Sequence, residues 1–215
     1  MSVTVTSKNI RRAIQAFCGL TFVAFGVALS AKAGLGTTPI SSIPYTLSCI
    51  SQLSLGTYTF IANMTFLLLQ ILILKREYKV YQLIQIPAIF VFSVLIDIWM
   101  KLLVGIGNFN YLMMLCLCLA GCFFVAFGVY IQVKAKAVML PGDGLVKVIS
   151  SKLIKEFGKI KILFDSSLVG ISIIISLIVK HRLLGVREGT IIAAFLVGSI
   201  IRFLTKRVHI FDINT

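Results

Sequence analysis

The sequence predicts an all-α polytopic membrane protein with six transmembrane helices and two short re-entrant or interfacial helices, arranged as two inverted repeats. Three observations predict this fold class: the apolar composition, an internal repeat and the distribution of charge. The 215 residues are 59% hydrophobic and 13% charged, with a mean hydropathy of +1.03. Several apolar runs reach the roughly 18–20 residues that cross a bilayer core. We therefore expect an integral membrane protein whose main partner is the lipid bilayer.

The internal repeat is clearest in the first apolar run. The segment GLTFVAFGV at residues 19–27 returns as GCFFVAFGV at residues 121–129, with seven of nine positions identical. The same offset of 102 residues, without a gap, pairs Pro39 with Pro141. Because the register continues through polar connections, we interpret it as an internal duplication.

The distribution of charge predicts how many helices cross the membrane. If six runs span and the N-terminus is cytoplasmic, fifteen of the 21 Lys and Arg residues lie inside and five lie outside. If the two proline-led helices also cross, the division is ten against nine. The positive-inside rule favours six spans, with both termini in the cytoplasm. Each repeat then has three crossings, so the second repeat enters from the opposite face and the repeats are inverted.

These considerations divide the chain into four parts. Residues 1–12 form a cytoplasmic N-terminal arm, 13–110 the first membrane repeat, 111–205 the second membrane repeat and 206–215 the C-terminal tail. The expected spans are residues 13–33, 58–74, 81–104, 111–133, 162–179 and 190–204.

The first span of each repeat carries a face of small residues. Gly19 and Gly26 are seven residues apart, and Gly121 and Gly128 repeat this spacing. Such a face predicts close packing of two helices. It serves equally for packing the two halves of one chain and for packing protomers of a homo-oligomer.

Each repeat then contains a short proline-led helix, at about residues 39–53 and 141–156. A proline suits the first position of a helix, and free N–H groups with the helix dipole at that end favour an anionic group. We expect a solute to bind there; the alternative is a tight turn with Thr38 and Asp143 as helix caps. The candidate substrate-binding residues are Lys32, Gly34, Gly36, Thr37, Thr38, Pro39, Ser41, Lys134, Pro141, Gly142, Asp143 and Gly144.

Four further polar residues lie within apolar runs and are candidates for lining a cavity: Asn63, Asp97, Asp165 and Arg202. An ionisable residue inside a span indicates a functional role by default. Asp97 has a local alternative, because Lys101 lies four residues further along the helix. Arg202 has another, because long basic side chains near helix ends extend to the interface. Asn63 and Asp165 occupy equivalent positions and could instead cap helices.

Other classes of function have no signature in the sequence. The net charge is +14, and the basic residues lie between the apolar runs. This position indicates cytoplasmic loops that face anionic lipid headgroups rather than a nucleic-acid-binding surface. The five cysteines have no nearby metal-ligand pattern, so we expect no metal and no disulfide framework. Only seven residues are acidic and no catalytic motif is present, so we expect neither an enzyme nor a cofactor.

The motifs of the two repeats resemble a known family. The segments FGVAL at 25–29 and AGLGTTP at 33–39, with FGVY at 127–130 and LPGDG at 140–144, are similar to YitT/YczE-type bacterial integral membrane proteins. The segment EGTII at 188–192 resembles that family's second half. The resemblance implies a small protein of the bacterial cell (inner) membrane, in a group of transporters without defined substrates. It supplies no catalytic residues.

Together these observations predict a transporter or permease for a small, preferentially anionic solute, bound between the inverted repeats at the paired helix N-termini. Two alternatives remain. The chain could be the substrate-binding membrane subunit of an ATPase-energised uptake complex, or a non-transporting membrane scaffold or intramembrane enzyme using Asp97 or Asp165.

Overall fold

The computed structural model describes residues 2–105, 110–135 and 139–207, and in these ranges the regular structure is helical. The α-helices are α1 (Ser2–Ala33), α2 (Ser42–Ile50), α3 (Leu55–Leu74), α4 (Gln85–Leu102), α5 (Tyr111–Lys134), α6 (Pro141–Leu153), α7 (Phe157–Lys180) and α8 (Glu188–Arg207). Short 3-10 turns lie at Pro39–Ser41, Lys75–Glu77 and Val80–Ile84. The middle of the expected loop between the repeats, the connection after Ala135 and most of the tail lie outside the described residues.

Six of these helices are long and apolar enough to cross a membrane, namely α1, α3, α4, α5, α7 and α8. The remaining two are short. At about 1.5 Å per residue, the 13 residues of α6 extend about 20 Å, less than the roughly 30 Å hydrocarbon core of a bilayer. The prediction of an all-α protein with six long apolar helices and two short ones is confirmed, and such a set of helices is that of a multi-pass membrane protein.

One boundary differs from the expectation in a way that bears on function. The fifth span was expected to begin at residue 162, but α7 begins at Phe157. Lys159 and Lys161 suggested a cytoplasmic loop because charged residues are costly within a span. Lys161 instead lies in the second turn of the helix, where carboxylates neutralise it.

The order of the helices repeats with the offset seen in the sequence. The first proline-led segment begins at Pro39 and α6 begins at Pro141. Similarly, α3 begins at Leu55 and α7 at Phe157, again 102 residues apart. The duplication therefore extends from the sequence to the boundaries of the helices.

The central contact of the bundle is between α1 and α5. A Cβ atom placed on Gly26 would lie 2.6 Å from the carbonyl oxygen of Gly121, and one on Gly128 would lie 2.6 Å from that of Gly19. Only glycine allows this approach. Gly19 lies beside Gly128 and Gly26 beside Gly121, so the two helices run antiparallel. Gly19 corresponds to Gly121 and Gly26 to Gly128 in the repeat, so the two contacts are equivalent to each other. The small-residue faces thus pack the two halves of one chain together.

Each proline-led helix packs against the third helix of the other repeat. On one side, Ser172 of α7 donates a hydrogen bond of 3.1 Å to the carbonyl oxygen of Ser42 and shares another of 2.6 Å with Thr46. On the other side, Gln70 of α3 donates a hydrogen bond of 2.8 Å to the carbonyl oxygen of Pro141. Ser172 and Gln70 occupy equivalent positions. These polar contacts tie each short helix to the opposite repeat within an apolar bundle.

The burial of α6 decreases from its beginning to its end. Leu145 is buried, whereas Leu153 near the end of the helix is 55% exposed. The same end carries Lys152, whose Nζ lies 2.8 Å from Glu77 Oε2 at the end of the second span. The ends of α3 and α6 therefore lie at the same face of the bundle, as the six-span arrangement requires.

Candidate functional site

A cavity of about 400 Å³ lies where the two repeats meet. All eight helices contribute lining residues, because the short proline-led helices begin inside the bundle. The volume falls in the range of sites that bind small organic molecules. The cavity is therefore the candidate functional site.

The lining is built from equivalent positions of the two repeats. The pairs that both line the cavity are Val23 and Val125, Val27 and Val129, Thr38 and Leu140, Ser41 and Asp143, Thr59 and Lys161, Asn63 and Asp165, and Phe92 and Ala194. Each member of a pair is 102 residues from the other. The two repeats thus line the cavity with the same positions, but the residue types at these positions differ between the repeats.

The N-termini of the two proline-led segments meet beside this cavity. A Cβ atom placed on Gly142 would collide with the side chain of Ile40 and lie 3.6 Å from the ring of Phe66. Ile40 and Gly142 are themselves equivalent positions. The short helices therefore approach each other end to end, so the expected pairing of their N-termini is present in the structure.

The wall from the second repeat is charged. Lys161 Nζ lies 2.9 Å from Asp143 Oδ1 and 3.0 Å from Asp165 Oδ1. The side chains of Lys161, Asp143 and Asp165 are 27%, 36% and 20% exposed, so none is sealed within the protein. One ammonium group thus stands between two carboxylates at the surface of the cavity, and we refer to these three residues as the charged wall.

The wall from the first repeat carries neutral polar groups at the equivalent positions. Thr38 Oγ1 donates a hydrogen bond of 3.2 Å to Ser41 Oγ. Asn63 Nδ2 donates one of 2.9 Å to the carbonyl oxygen of Thr59, whose own hydroxyl donates to the carbonyl oxygen of Leu55. These groups can exchange hydrogen bonds with a bound molecule but carry no charge.

The cavity reaches the outside of the bundle between α7 and α8. In the first repeat α3 packs along α4, whereas the equivalent α7 and α8, within the part of the chain that the structure describes, touch at few points. Ile162 of α7 lines the cavity and is 69% exposed. Gly198 of α8 also lines it, and a Cβ atom on Gly198 would meet nothing within 4 Å.

The equivalent region of the first repeat is closed. Ala31, Leu55 and Ile96 are buried there in one apolar cluster, and Tyr45 donates a hydrogen bond of 2.7 Å to the carbonyl oxygen of Ala31. Trp99 seals the cluster with a ring contact to Phe25 at 4.8 Å between centroids. The two equivalent ends thus differ: the central cavity reaches the outside at one end, and at the other this cluster borders both the central cavity and a second cavity lined by Leu55 and Asp97.

Six of the residues predicted to bind or face a solute line this cavity, namely Thr38, Pro39, Ser41, Asn63, Asp143 and Asp165. The glycine loop before Pro39 lies elsewhere. Gly36 has a φ of +102° and packs on Thr190, while the carbonyl oxygens of Leu35 and Gly34 accept hydrogen bonds from Gly189 N and Arg187. Gly34 and Gly36 therefore shape a contact with the start of α8, and Thr37 next to them is buried.

The remaining candidate residues also have places outside the lining. Pro141 and Gly144 pack α6 on Gln70, and Gly142 makes the contact with Ile40 described above. Lys32 and Lys134 are half-buried at the ends of α1 and α5, and Arg202 is exposed on α8.

Asp97 lines a second cavity, of about 480 Å³, rather than the one between the repeats, and it also has a local role. Its Oδ1 accepts a hydrogen bond of 2.8 Å from the backbone N–H of Gly56, and its Oδ2 accepts one of 2.7 Å from the hydroxyl of Ser54. Both donors lie at the N-terminus of α3, where N–H groups lack partners within the helix. Asp97 therefore caps α3 from the neighbouring helix, well away from the charged wall.

Sequence reasoning missed Lys161 and Thr59. Lys161 was assigned to a cytoplasmic loop, although two signals pointed to the site. It lies four residues before Asp165, and the offset of 102 residues places it opposite Thr59 inside a span. Applying the repeat to helix boundaries as well as to motifs would have found both residues.

The protein described as uncharacterized protein YyaS of Bacillus subtilis (strain 168) is 23% identical over 184 residues, which cover 85% of this chain and 87% of that protein. No solved structure matches the chain. These comparisons give no support to the YitT/YczE resemblance in particular, which stays a prediction. A family model matches residues 10–206, nearly the whole chain, and the protein therefore belongs to DUF6198, a family of unknown function.

Proposed function

We propose that the protein is a membrane permease that moves a small organic solute through the cavity between two inverted repeats. The observation that carries this proposal is the lining of the cavity, to which both repeats contribute equivalent positions. Transporters built from inverted repeats hold their solutes where the repeats meet, near broken or short helices. A scaffold would have no need of such a cavity.

The contact between α1 and α5 supports the inverted arrangement. Gly19 lies beside Gly128 and Gly26 beside Gly121, so the first helices of the two repeats run in opposite directions. With three long helices in each repeat, opposite directions of the first helices give the second repeat the inverse orientation in the membrane.

The difference between the two ends supports alternating access. The end at which α7 begins is open between α7 and α8, and the equivalent end of the first repeat is closed by the cluster around Tyr45 and Trp99. If the repeats exchanged these two conformations, the open end would close and the closed end would open. By the positive-inside rule, the open end faces the cytoplasm.

Accessibility of the cavity from both sides of the membrane tests the proposal without knowledge of the solute. We would introduce Ser41→Cys into a chain whose five natural cysteines are replaced, and label it with a membrane-impermeant maleimide from each side. A permease exposes this position to both sides in turn, so labelling from either side is expected. Labelling from one side only would exclude alternating access and favour a receptor subunit or a scaffold.

Two surface positions serve as controls for sidedness. Glu77→Cys is expected to react only from the cytoplasmic side, and Arg182→Cys only from the outer side. If both reacted from the same side, the six-span topology would be wrong, and so would the inverted relation between the repeats.

A further inference from the structure

We propose that the solute is an amphipathic organic cation, whose ammonium group binds Asp143 and Asp165 and whose apolar body lies against the valines of α1 and α5. This inference rests on the proposed permease function and adds the chemical class of the solute to it. It replaces the anion expected from the sequence.

The sign of charge follows from the charged wall. Asp143 and Asp165 bring two negative charges and Lys161 one positive charge, and among the described residues that line the cavity these three are the ionisable ones. Nearby charges in a partly dehydrated site interact more strongly than in water. The excess negative charge therefore attracts a cation and repels an anion.

The N-termini of the two short helices do not turn this preference for a cation into a preference for an anion. Pro39 and Pro141 at the starts of the short helices have no N–H group to donate. Asp143 stands in the first turn of α6, where its carboxylate already faces the positive end of that helix. In the glycine loop expected to hold an anion, Gly34 N donates to the carbonyl oxygen of Ala31, and the loop packs against the start of α8.

The charged wall can accept an incoming ammonium group without leaving a carboxylate unpaired. Lys161 bridges both carboxylates at 2.9 and 3.0 Å, so an ammonium group that replaced it at one carboxylate would leave it paired with the other. The result would be an alternating set of two carboxylates and two ammonium groups, which satisfies the charge of every member.

The apolar body is inferred from the rest of the lining and from the opening. Val23, Val27, Val125 and Val129 form the wall along the central helix pair, and Phe92 adds an aromatic surface. At the open end, the apolar side chains of Phe157 and Ile162 extend this surface towards the opening. A fully polar solute would gain nothing from this apolar surface, whereas an amphipathic solute is stabilised by burying its apolar part against it.

Binding of two matched probes tests the inference. Phenylbutylamine and phenylbutyrate share one apolar body and carry opposite charges at neutral pH. We would measure both by isothermal titration calorimetry with the purified full chain in lipid nanodiscs. The amine should bind at least about tenfold more tightly than the carboxylate, since tenfold corresponds to a modest difference in interaction energy.

Two variants give the control. Combined Asp143→Asn and Asp165→Asn changes keep the shape of the wall but leave Lys161 as its only charge, so the preference should invert towards phenylbutyrate. Glu156→Gln removes an exposed acid at the same end of α7 and should leave the preference unchanged.

The outcomes separate this inference from the proposed function. Equal or tighter binding of phenylbutyrate by the unmodified protein would overturn the cation assignment, and so would binding of neither probe. The permease proposal would still stand if Ser41→Cys were labelled from both sides of the membrane. An amine preference that survives the double Asn change would also overturn the inference, because the carboxylates would then not be the binding groups.

Discussion

Asp97 and Asp165 are both acidic residues within spanning helices, yet their surroundings give them different roles. Asp97 accepts two hydrogen bonds from the start of α3. Asp165 instead faces the cavity beside Lys161. A position inside a span therefore indicates that a carboxylate has partners, and the partners decide whether the role is structural or functional.

Replacing Asp97 with Ala should weaken folding without changing solute preference. The change removes both acceptors at the N-terminus of α3, and losing such a cap costs about 1–2 kcal/mol. We expect a lower Tm for purified Asp97→Ala, and a smaller loss for Asp97→Asn, which keeps one acceptor oxygen. Phenylbutylamine binding should be unchanged in both. Loss of binding at an unchanged Tm would place Asp97 in the site and contradict its role as a cap.

The packing of α1 against α5 depends on backbone contact. Ala in place of Gly26 would bring a methyl group within 2.6 Å of the carbonyl oxygen of Gly121, which forces the helices apart. The same change at Gly198 meets open space. The two glycines thus form a matched pair, each inside a spanning helix, with opposite expected effects.

Gly26→Ala should therefore lower the Tm, because overpacking at a tight contact costs about 1–3 kcal/mol. Gly198→Ala should leave the Tm unchanged or raise it, since Ala is favoured over Gly in a helix by about 0.5–1 kcal/mol. Thermal unfolding of both variants in one detergent checks this. A Gly26→Ala variant as stable as the unmodified protein would mean that the repeats do not meet at these glycines.

At the scale of helices, the sequence predicted more of the fold than of the site. Apolar length and the repeat suffice for six long helices and two short proline-led ones, because both depend on local patterns. The site depends on contacts between the repeats, which local patterns do not contain. Gly34 and Gly36 illustrate this: their spacing is that of a tight turn, and only the fold shows that the turn meets α8 rather than a solute.

Lys161 shows the same limit in a charged residue. In the sequence it belongs to a cluster of lysines typical of a cytoplasmic loop. Its pairing with Asp143 depends on how α6 returns against α7, which follows from the packing of the whole second repeat. A single sequence therefore does not show which oppositely charged residues of a membrane site meet through tertiary structure.

For the whole molecule, the main feature is the difference between its two ends. The open end includes Val133 in the lining of the cavity, and the closed end buries the equivalent Ala31. Tyr45 holds the closed end through its hydrogen bond to the carbonyl oxygen of Ala31. The equivalent of Tyr45 is Lys147, which is exposed. The two repeats thus adopt different conformations with related sequences.

Tyr45→Phe should shift the protein towards the state in which the closed end opens. The change removes one hydrogen bond from the closed end, and Ala31 O keeps its other bond from Gly34 N. A loss of about 1 kcal/mol changes the ratio of two states about fivefold. In cysteine-free chains carrying Ala31→Cys or Val133→Cys, Tyr45→Phe should speed maleimide labelling of the first and slow that of the second. Because the two positions are equivalent, a change at both in the same direction would indicate general loosening, and would contradict an exchange of conformations between the repeats.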